Sequence, residues 1–299
     1  MDAPPTAKRI SACERRDGDG NPVRNRILLS LPAKEFDSLA PQLEFVRLQH
    51  LQILHEVGQS LKSVYFCNSG MFSSLIVTPE GRSLEVRPIG IEGFAGVPLI
   101  AGFRTSNTRT VVHVGATAFR LDAGVFRAKL PELPSLEQGV KQYSQWAAMC
   151  VTSIAACNGL HEIEQRLTRW LLMCQDRLGI DSLPLTQDFL AQVLGARRAS
   201  VTVAAGILSR TGLIKYKRGE VTILDRQRLE DACCFCYEQL LRQTQEWESQ
   251  VPRSNVGYRT AAGKATYRQN LARTTTIARC FPLPKQRLRL PGERRQRSH

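Results

Sequence analysis

The segment Thr186–Leu213 constrains the fold of this 299-residue chain more than any other, because it specifies two short helices joined by a tight turn. Thr186 is a residue type favoured at a helix N-cap, and an apolar face at helical spacing follows it as far as Leu194. Gly195 then stands where a left-handed residue ends a helix. The helical pattern restarts over Arg197–Arg210, and its predicted inward-facing residues are Val201, Ala204, Ala205 and Leu208. The sequence therefore predicts a helix-turn-helix.

The N-terminal end of the second predicted helix carries side chains suited to the major groove of DNA. In a docked helix-turn-helix this end touches base edges, and arginine can donate to guanine O6 and N7 with both arms. The predicted DNA-contacting residues of the two helices are Thr186, Gln187, Arg197, Arg198, Ser200 and Thr202. The alternative is an ordinary helical hairpin with a solvated basic end.

The segment that follows, Lys215–Leu224, has the pattern of a β-hairpin with its turn near Arg218 and Gly219. A basic hairpin after a helix-turn-helix forms a wing that contacts the sugar-phosphate backbone. We predict Lys215, Lys217 and Arg218 as phosphate anchors. A solvated basic turn is the alternative.

An apolar seam with alternating steps of four and three residues runs through segment 135–158. Three unbroken heptads predict a helix that packs against another helix, most simply a second copy of the chain. The predicted dimerisation residues are Leu136, Val140, Tyr143, Ala147, Cys150, Ile154 and Cys157. The alternative is that the seam packs only on its own chain.

Short β-like runs separated by turns occupy the chain from about Arg47 to Leu130 and predict a barrel or sandwich. The predicted strands are Ser63–Cys67, Met71–Val77, Ser83–Ile89, Thr110–Val114 and Ala118–Leu121. Beyond the seam, two more helices are predicted over His161–Leu178 and Asp225–Leu240.

Segment Thr186–Leu224 resembles the winged helix-turn-helix of the catabolite-activator and fumarate-nitrate-regulator (Crp/Fnr) superfamily of bacterial transcription factors. Upstream segments agree: Asn25–Val46 resembles the helix that leads into that family's sensor barrel, and Tyr65–Gly96 resembles the barrel. The resemblance spans roughly residues 24–240. It implies an α+β fold in which a cyclic-nucleotide-binding-like β-barrel of the jelly-roll type joins through a long dimerisation helix to the DNA-binding domain.

On this basis we expect a homodimer that binds a palindromic operator in double-stranded DNA and acts with RNA polymerase. The predicted segments are 1–22 (disordered), 23–134 (sensor barrel), 135–158 (dimerisation helix), 159–240 (winged helix-turn-helix) and 241–299 (a basic, disordered tail). The tail carries +10 of the net charge of +14. Such a tail can bind DNA phosphates without regard to sequence or be a solvated extension with no role.

Cyclic-nucleotide-binding members of the superfamily present a glutamate to the ribose from a glycine-rich loop and hold the phosphate with an arginine. The resemblance assigns Gly90, Glu92, Gly93 and Gly96 to the loop, and Arg109 with Thr110 to the phosphate. Arg109 is one residue out of register, which in a strand sends a side chain to the opposite face. A loop that only packs, or one that binds another small molecule, is therefore favoured, and the effector is unknown.

Other family cofactors have weaker counterparts in the sequence. An iron–sulfur cluster requires several cysteines, whereas only Cys13 and Cys67 lie in the relevant regions. His50, His55 and His113 are candidate haem ligands, although each is more typical of a surface or core histidine. Segment Cys233–Tyr237 holds three thiols that helical spacing points in different directions, so we predict buried small residues and no metal site.

No motif of a catalytic site is present, so the sequence does not indicate an enzyme. No run of about 18 apolar residues predicts a membrane span, and no secretory signal is recognisable, so we expect a cytoplasmic protein with reduced thiols. The predicted function is sequence-specific regulation of transcription. Two alternatives remain: a cyclic-nucleotide-binding module that acts through a protein partner, and a non-specific DNA-binding protein that uses the basic tail.

Overall fold

A six-stranded antiparallel sheet forms the N-terminal half of the computed structural model, which describes residues 15–250. The strands pair in the order β1-β6-β3-β4, with β2 added on β6 and β5 on β3. Their bounds are β1 (Glu44–Leu48), β2 (Ile53–His55), β3 (Ser63–Val77), β4 (Ser83–Ile89), β5 (Phe94–Ala95) and β6 (Arg109–Asp122). The sheet is jelly-roll-like, as predicted, although it stays open and does not close into a barrel.

The two central strands are longer than predicted, because β3 and β6 each join two of the predicted strands into one. The join in β3 lies at Gly70, where φ is +74° and the register with β6 shifts. A Cβ atom at Gly70 would lie 2.5 Å from the Gly115 carbonyl oxygen, so only glycine lets the two backbones approach here. The irregularity bends the paired strands without interrupting them.

Three short helices flank the sheet: α1 (Arg26–Ser30), α2 (Ala33–Leu39) and α3 (Ala123–Lys129). The segment before α1 is ordered from residue 15, because the Arg15 guanidinium donates to the carbonyl oxygens of Leu28 at 2.7 Å and Leu31 at 2.9 Å. The predicted disorder of residues 1–22 is therefore wrong for residues 15–22, and residues 1–14 lie outside the described part.

The long helix α4 (Pro134–Leu160) contains the predicted seam, and all seven seam residues are buried within the same chain. Tyr143 packs on Phe94 of the sheet with ring centroids 5.4 Å apart, and Trp146 next to it stacks on Trp247 at 5.1 Å. The seam thus has the predicted period but not the predicted partner. Its helical partner belongs to its own chain, so the seam is not available to a second copy.

The C-terminal half consists of helices around a small three-stranded sheet of order β7-β9-β8. Its elements are α5 (Ile163–Leu178), β7 (Ser182–Pro184), α6 (Gln187–Leu194), α7 (Arg198–Arg210), β8 (Ile214–Lys217), β9 (Glu220–Ile223), α8 (Arg226–Asp231) and α9 (Phe235–Gln250).

The single helix predicted over Asp225–Leu240 is two helices in the structure, and the chain turns between them at residues 232–234. Helix α9 continues to Gln250 and carries Trp247 onto α4, so the first residues assigned to a disordered tail are helical. The rest of the predicted tail, residues 251–299, lies outside the described part of the chain.

The helix-turn-helix packs directly on the N-terminal sheet. Phe189 of α6 lies against His113 of β6, with ring centroids 4.2 Å apart, and Trp170 of α5 meets the same imidazole at 5.3 Å. His113 is 1% exposed and neither ring nitrogen has a hydrogen-bond partner among the described residues. Burial, together with the nearby His50, lowers the pKa of His113 to about 3, so its imidazole is neutral in this interface.

We expect the free energy of unfolding of His113→Phe to fall less steeply with decreasing pH than that of the wild type. In the wild type the unfolded chain binds the proton below about pH 6.5 and the folded chain only near pH 3. Stability therefore falls with decreasing pH in this window, by about 1.4 kcal/mol per pH unit from this residue. Urea unfolding of both proteins between pH 7 and pH 4 measures the difference. Parallel profiles would show that the imidazole is accessible to protons in the folded chain.

Candidate nucleic-acid interface

Helices α6 and α7 form the predicted helix-turn-helix, and the predicted cap and turn residues stand in those roles. The Thr186 hydroxyl accepts from the Phe189 amide at 3.1 Å, and Gly195 ends α6 in the left-handed region at φ +58°. Arg197 is the N-cap of α7. The core of the unit consists of residues buried from both helices: Leu190, Val193, Leu194, Val201, Ala204, Ala205 and Leu208.

The N-terminal end of α7 is exposed and strongly positive. Arg197, Arg198, Ser200 and Thr202 are all exposed there. Arg198 forms an exposed ion pair with Asp188 at 3.3 Å. Such a pair is weak in water, so the guanidinium can exchange it for a base edge or a phosphate at little cost. The positive end of the helix dipole adds to the attraction for an anion.

Two of the predicted contact residues are held in place by a bond between the helices. The Thr202 hydroxyl lies 3.0 Å from Gln187 Oε1 and the same distance from the Arg198 carbonyl oxygen. This contact links the start of α6 to the first turn of α7, so that both helices present their polar ends on one side.

The predicted wing is the hairpin of β8 and β9, with a two-residue turn at Arg218 and Gly219. Both residues have positive φ, +50° and +80°, which is the pattern of a type I′ turn. Lys215, Lys217 and Arg218 are exposed. The Tyr216 hydroxyl donates to the Leu185 carbonyl oxygen at 3.2 Å and fixes the hairpin to the start of the helix-turn-helix. The basic residues of the wing therefore have a defined position relative to α7.

The predicted effector loop lies beneath the helices, and its glutamate is already paired. Glu92 is buried and its Oε1 accepts from the Arg177 guanidinium of α5 at 2.9 Å and from the Gly90 amide at 3.0 Å. Burial opposes ionisation of Glu92, but Arg177 and the amide hold its pKa below the ordinary value. The loop thus forms an ionic contact between the sheet and the C-terminal half.

The space above Gly93 is filled by Tyr143 of α4, because a Cβ atom on this glycine would collide with the tyrosine ring. The Arg87 guanidinium donates to the Tyr143 hydroxyl and lies 5.3 Å from its ring centroid. A cavity lined by Cys150, Arg177 and neighbouring residues of α4, α5 and α9 holds about 30 Å³. That is space for about one water molecule and is far below the several hundred Å³ of a ligand pocket.

Arg109 and Thr110, the predicted phosphate residues, are distant along the sheet from the glycine loop. They pair with Leu75 and Ser74 near the end of β3, whereas Gly93 accepts from the Cys67 amide near its beginning. Arg109 binds the Glu56 carboxylate through Nε at 3.0 Å. The structure therefore brings Gly90, Glu92, Gly93 and Gly96 together and leaves the other two predicted residues outside the group.

Sequence reasoning missed a second buried contact between the two halves. Trp170 of α5 donates its indole N–H to Glu85 Oε1 of β4 at 2.8 Å, and Ser73 donates to the other carboxylate oxygen. Burial raises the pKa of Glu85. Both this contact and the Glu92–Arg177 pair join residues 85 positions apart, so no local spacing could indicate them.

The remaining cofactor candidates occupy separate positions. His50 Nδ1 lies 2.6 Å from the His113 carbonyl oxygen, and His55 Nε2 lies 2.8 Å from the Ser63 carbonyl oxygen. Cys67 is buried in the sheet, while Cys13 lies outside the described residues. The thiols of segment Cys233–Tyr237 do not all lie on a helix, because α9 begins only at Phe235. The expectation that they point in different directions is wrong for Cys234 and Cys236.

Comparison with known proteins agrees with this architecture. Residues 165–232 match the family model of the Crp-like helix-turn-helix domain. A protein from Eubacterium rectale classed with the Crp/Fnr transcriptional regulators is 18% identical and covers 67% of this chain and 94% of its own, with a TM-score of 0.56.

Two further solved structures are similar. A CRP-family transcriptional regulator from Thermus thermophilus is 18% identical, with 62% of this chain and 95% of that chain covered and a TM-score of 0.54. CLP, a c-di-GMP-responsive global regulator from Xanthomonas campestris, is 14% identical, with 65% and 100% covered and a TM-score of 0.56. No curated protein matches the sequence.

Residues 165–232 thus form a Crp-like helix-turn-helix domain, a type of domain that binds DNA. The rest of the chain shares its fold with these solved regulators. In residues 15–250 no helix is both long and apolar enough to cross a bilayer.

We expect Glu92→Gln to destabilise the chain by about 3–5 kcal/mol, because it leaves the Arg177 guanidinium buried without its counter-charge. Glu44→Gln is the matched control, since it breaks an ion pair with Arg120 that is about half exposed and contributes roughly 0–1 kcal/mol. Urea unfolding at neutral pH measures both. Equal losses in the two variants would mean that Glu92 and Arg177 are solvated in solution.

Proposed function

We propose that the chain is a sequence-specific, homodimeric transcription regulator of the Crp/Fnr type that acts in the cytoplasm. The observation that carries the proposal is the exposed, positive N-terminal end of α7, held beside a rigid basic wing. Arg197 and Arg198 are the proposed readers of base edges, while Ser200, Thr202, Thr186 and Gln187 contact bases or the nearby backbone. Lys215, Lys217 and Arg218 bind phosphates and set the register of α7 in the groove.

Contacts between the sheet and the DNA-binding half supply a route for regulation. The Glu92–Arg177 pair, the Trp170–Glu85 hydrogen bond and the packing of Phe189 on His113 all fix α5 and α6 on the sheet. A ligand or partner with different affinities for two arrangements of these contacts shifts the placement of α7. Tyr143 fills the space above Gly93, so this loop does not indicate which molecule the effector is. RNA polymerase is a further proposed partner through the family resemblance.

The surface of α4 opposite the seam is the proposed dimer interface. Its exposed residues recur at heptad spacing and are small or polar near the centre, where Ala148, Thr152 and Ala155 lie. Small side chains let two helices approach closely, and pairing here would leave the buried seam undisturbed. A dimer places two α7 helices on a two-fold symmetric site, with half-sites about 34 Å apart for one turn of duplex.

Selection of binding sites from random duplexes with the purified full-length chain tests the proposed function. Enrichment of a two-fold symmetric sequence is the expected result. Recovery of duplexes without any common sequence, together with a strong salt dependence, would instead support non-specific binding.

Arg198→Ala is expected to lose discrimination at one base pair in each half-site, because a bidentate arginine contributes about 1–3 kcal/mol there. Lys215→Ala is expected to weaken binding to all sequences alike. The control is Arg210→Ala, which removes an exposed arginine from the opposite end of α7. Titrations against the selected site and its single-base variants distinguish these patterns. If Arg198→Ala keeps the base preference of the wild type, Arg198 does not contact a base edge.

Ala148→Glu is expected to convert the dimer to a monomer, because two carboxylates would be brought together in the apposed helices. Sedimentation equilibrium should show a dissociation constant raised about a hundredfold or more. Gln59→Glu adds the same charge in an exposed loop and should leave the association unchanged. A dimer that tolerates Ala148→Glu would place the interface on another surface.

A further inference from the structure

Four side chains that bind soft metal ions converge where α4 ends and α9 begins. They are Cys157, His161, Cys234 and Cys236, and their potential ligand atoms all lie within 4.8 Å of one another. Cys157 Sγ lies 3.6 Å from Cys234 Sγ, and Cys236 Sγ lies 3.6 Å from His161 Nδ1. The three cysteines are buried and the histidine is half-buried.

Two local features of the chain bring these atoms together. Cys157 and His161 are four residues apart at the C-terminal end of α4, so they lie on one face, and His161 is the C-cap residue. The chain turns between α8 and α9 at residues 232–234, which directs Cys234 and the first-turn residue Cys236 toward that face. Neighbouring Cys233 is outside the group.

The spacing fits a single tetrahedral ion. With zinc–sulfur bonds of about 2.3 Å and zinc–nitrogen bonds of about 2.0–2.1 Å, the ligand atoms of a tetrahedral site are separated by roughly 3.5–3.8 Å. The Cys157–Cys234 and Cys236–His161 separations of 3.6 Å have this length, and all other pairs in the cluster lie within 4.8 Å. An iron–sulfur cluster spreads its thiolates over several iron atoms, and a Cys157–Cys234 disulfide would use neither His161 nor Cys236.

A buried positive charge lies beside the cluster. The Arg169 guanidinium is 2% exposed and its Nε is 3.2 Å from Cys157 Sγ. Its other bonds run to the amide oxygen of Asn158 and the thioether of Met173, and no ion pair with a carboxylate is found for it in residues 15–250. A divalent ion with three thiolates and a neutral imidazole carries a net charge of −1. The guanidinium balances that charge in a place where an uncompensated cation is costly.

We propose that Cys157, His161, Cys234 and Cys236 bind one zinc ion per chain. Four protein ligands leave no open position, so the site is structural rather than catalytic. Zinc binding displaces the protons of the three thiols and joins the end of α4 to the start of α9. The ion thereby fixes the helix that covers the α4 seam. This inference is independent of the proposed function in DNA binding, because none of the four ligands lies in the helix-turn-helix or the wing.

The metal content of the full-length chain tests the proposal. Protein purified under reducing conditions and supplied with zinc should retain one equivalent after gel filtration, measured by plasma mass spectrometry. Cys234→Ser and Cys236→Ser should retain much less, whereas the matched control Cys233→Ser should retain the full equivalent. Absence of zinc in the wild type, or equal zinc in Cys236→Ser and the wild type, would overturn the site.

Cobalt(II) provides a second readout that does not depend on stability. Titration of the reduced apo-protein should give intense ligand-field and thiolate charge-transfer absorption of a tetrahedral site, saturating at one equivalent and displaced by zinc. A six-coordinate cobalt spectrum contradicts the proposal. So does a wild type whose Cys157 and Cys234 thiols are found joined in a disulfide and which binds no metal after reduction. A chelator should lower the melting temperature of the wild type and of Cys233→Ser, and leave that of folded Cys236→Ser unchanged.

Discussion

The burial of one face of α4 is the constraint on which the rest of the structure depends. Tyr143 closes the space over the glycine loop of the sheet, Trp146 receives Trp247 from α9, and Cys157 meets the thiols that precede and begin α9. A helix with this apolar stripe must cover it, and here the sheet on one side and α9 on the other do so. The sheet and α9 therefore both pack on α4.

Helix α5 connects the sheet to the helix-turn-helix, because it contacts both. It follows α4 after a short break, and its Trp170 and Arg177 side chains bind buried carboxylates of the sheet. Helix α7 packs on α5 and α6, so the position of its exposed N-terminal end is set by contacts elsewhere in the chain. The polar contacts give this interface a defined geometry, because each is directional and each is costly to leave unpaired.

Residue propensity and apolar spacing predicted the helix cap, the turn and the buried residues of the helix-turn-helix, because these features depend on residues close together in the chain. The Thr186 cap, the Gly195 turn and the inward residues of α7 follow from propensity and period, and each stands where it was expected. The period of the α4 seam was also evident, but a period shows that a face is buried and not which element covers it. The Glu92–Arg177 pair and the cluster at Cys157 join distant segments. No spacing predicts such contacts, and the assumption of one helix over Asp225–Leu240 concealed the turn that forms the cluster.

The buried ion pair also sets the energetic scale of any switch in this molecule. To move α7 relative to the sheet by way of α5, Arg177 and Glu92 must separate, find new partners or become solvated. The cost of exposing an unpaired charge at such a site is several kcal/mol. A ligand that binds both arrangements equally cannot supply this free energy. A ligand whose affinity for the rearranged state is higher by about 10³–10⁴-fold can supply it. Any ligand that moves α7 by way of α5 must therefore act on the contacts beneath α5 themselves, or bind strongly to the state in which they are broken.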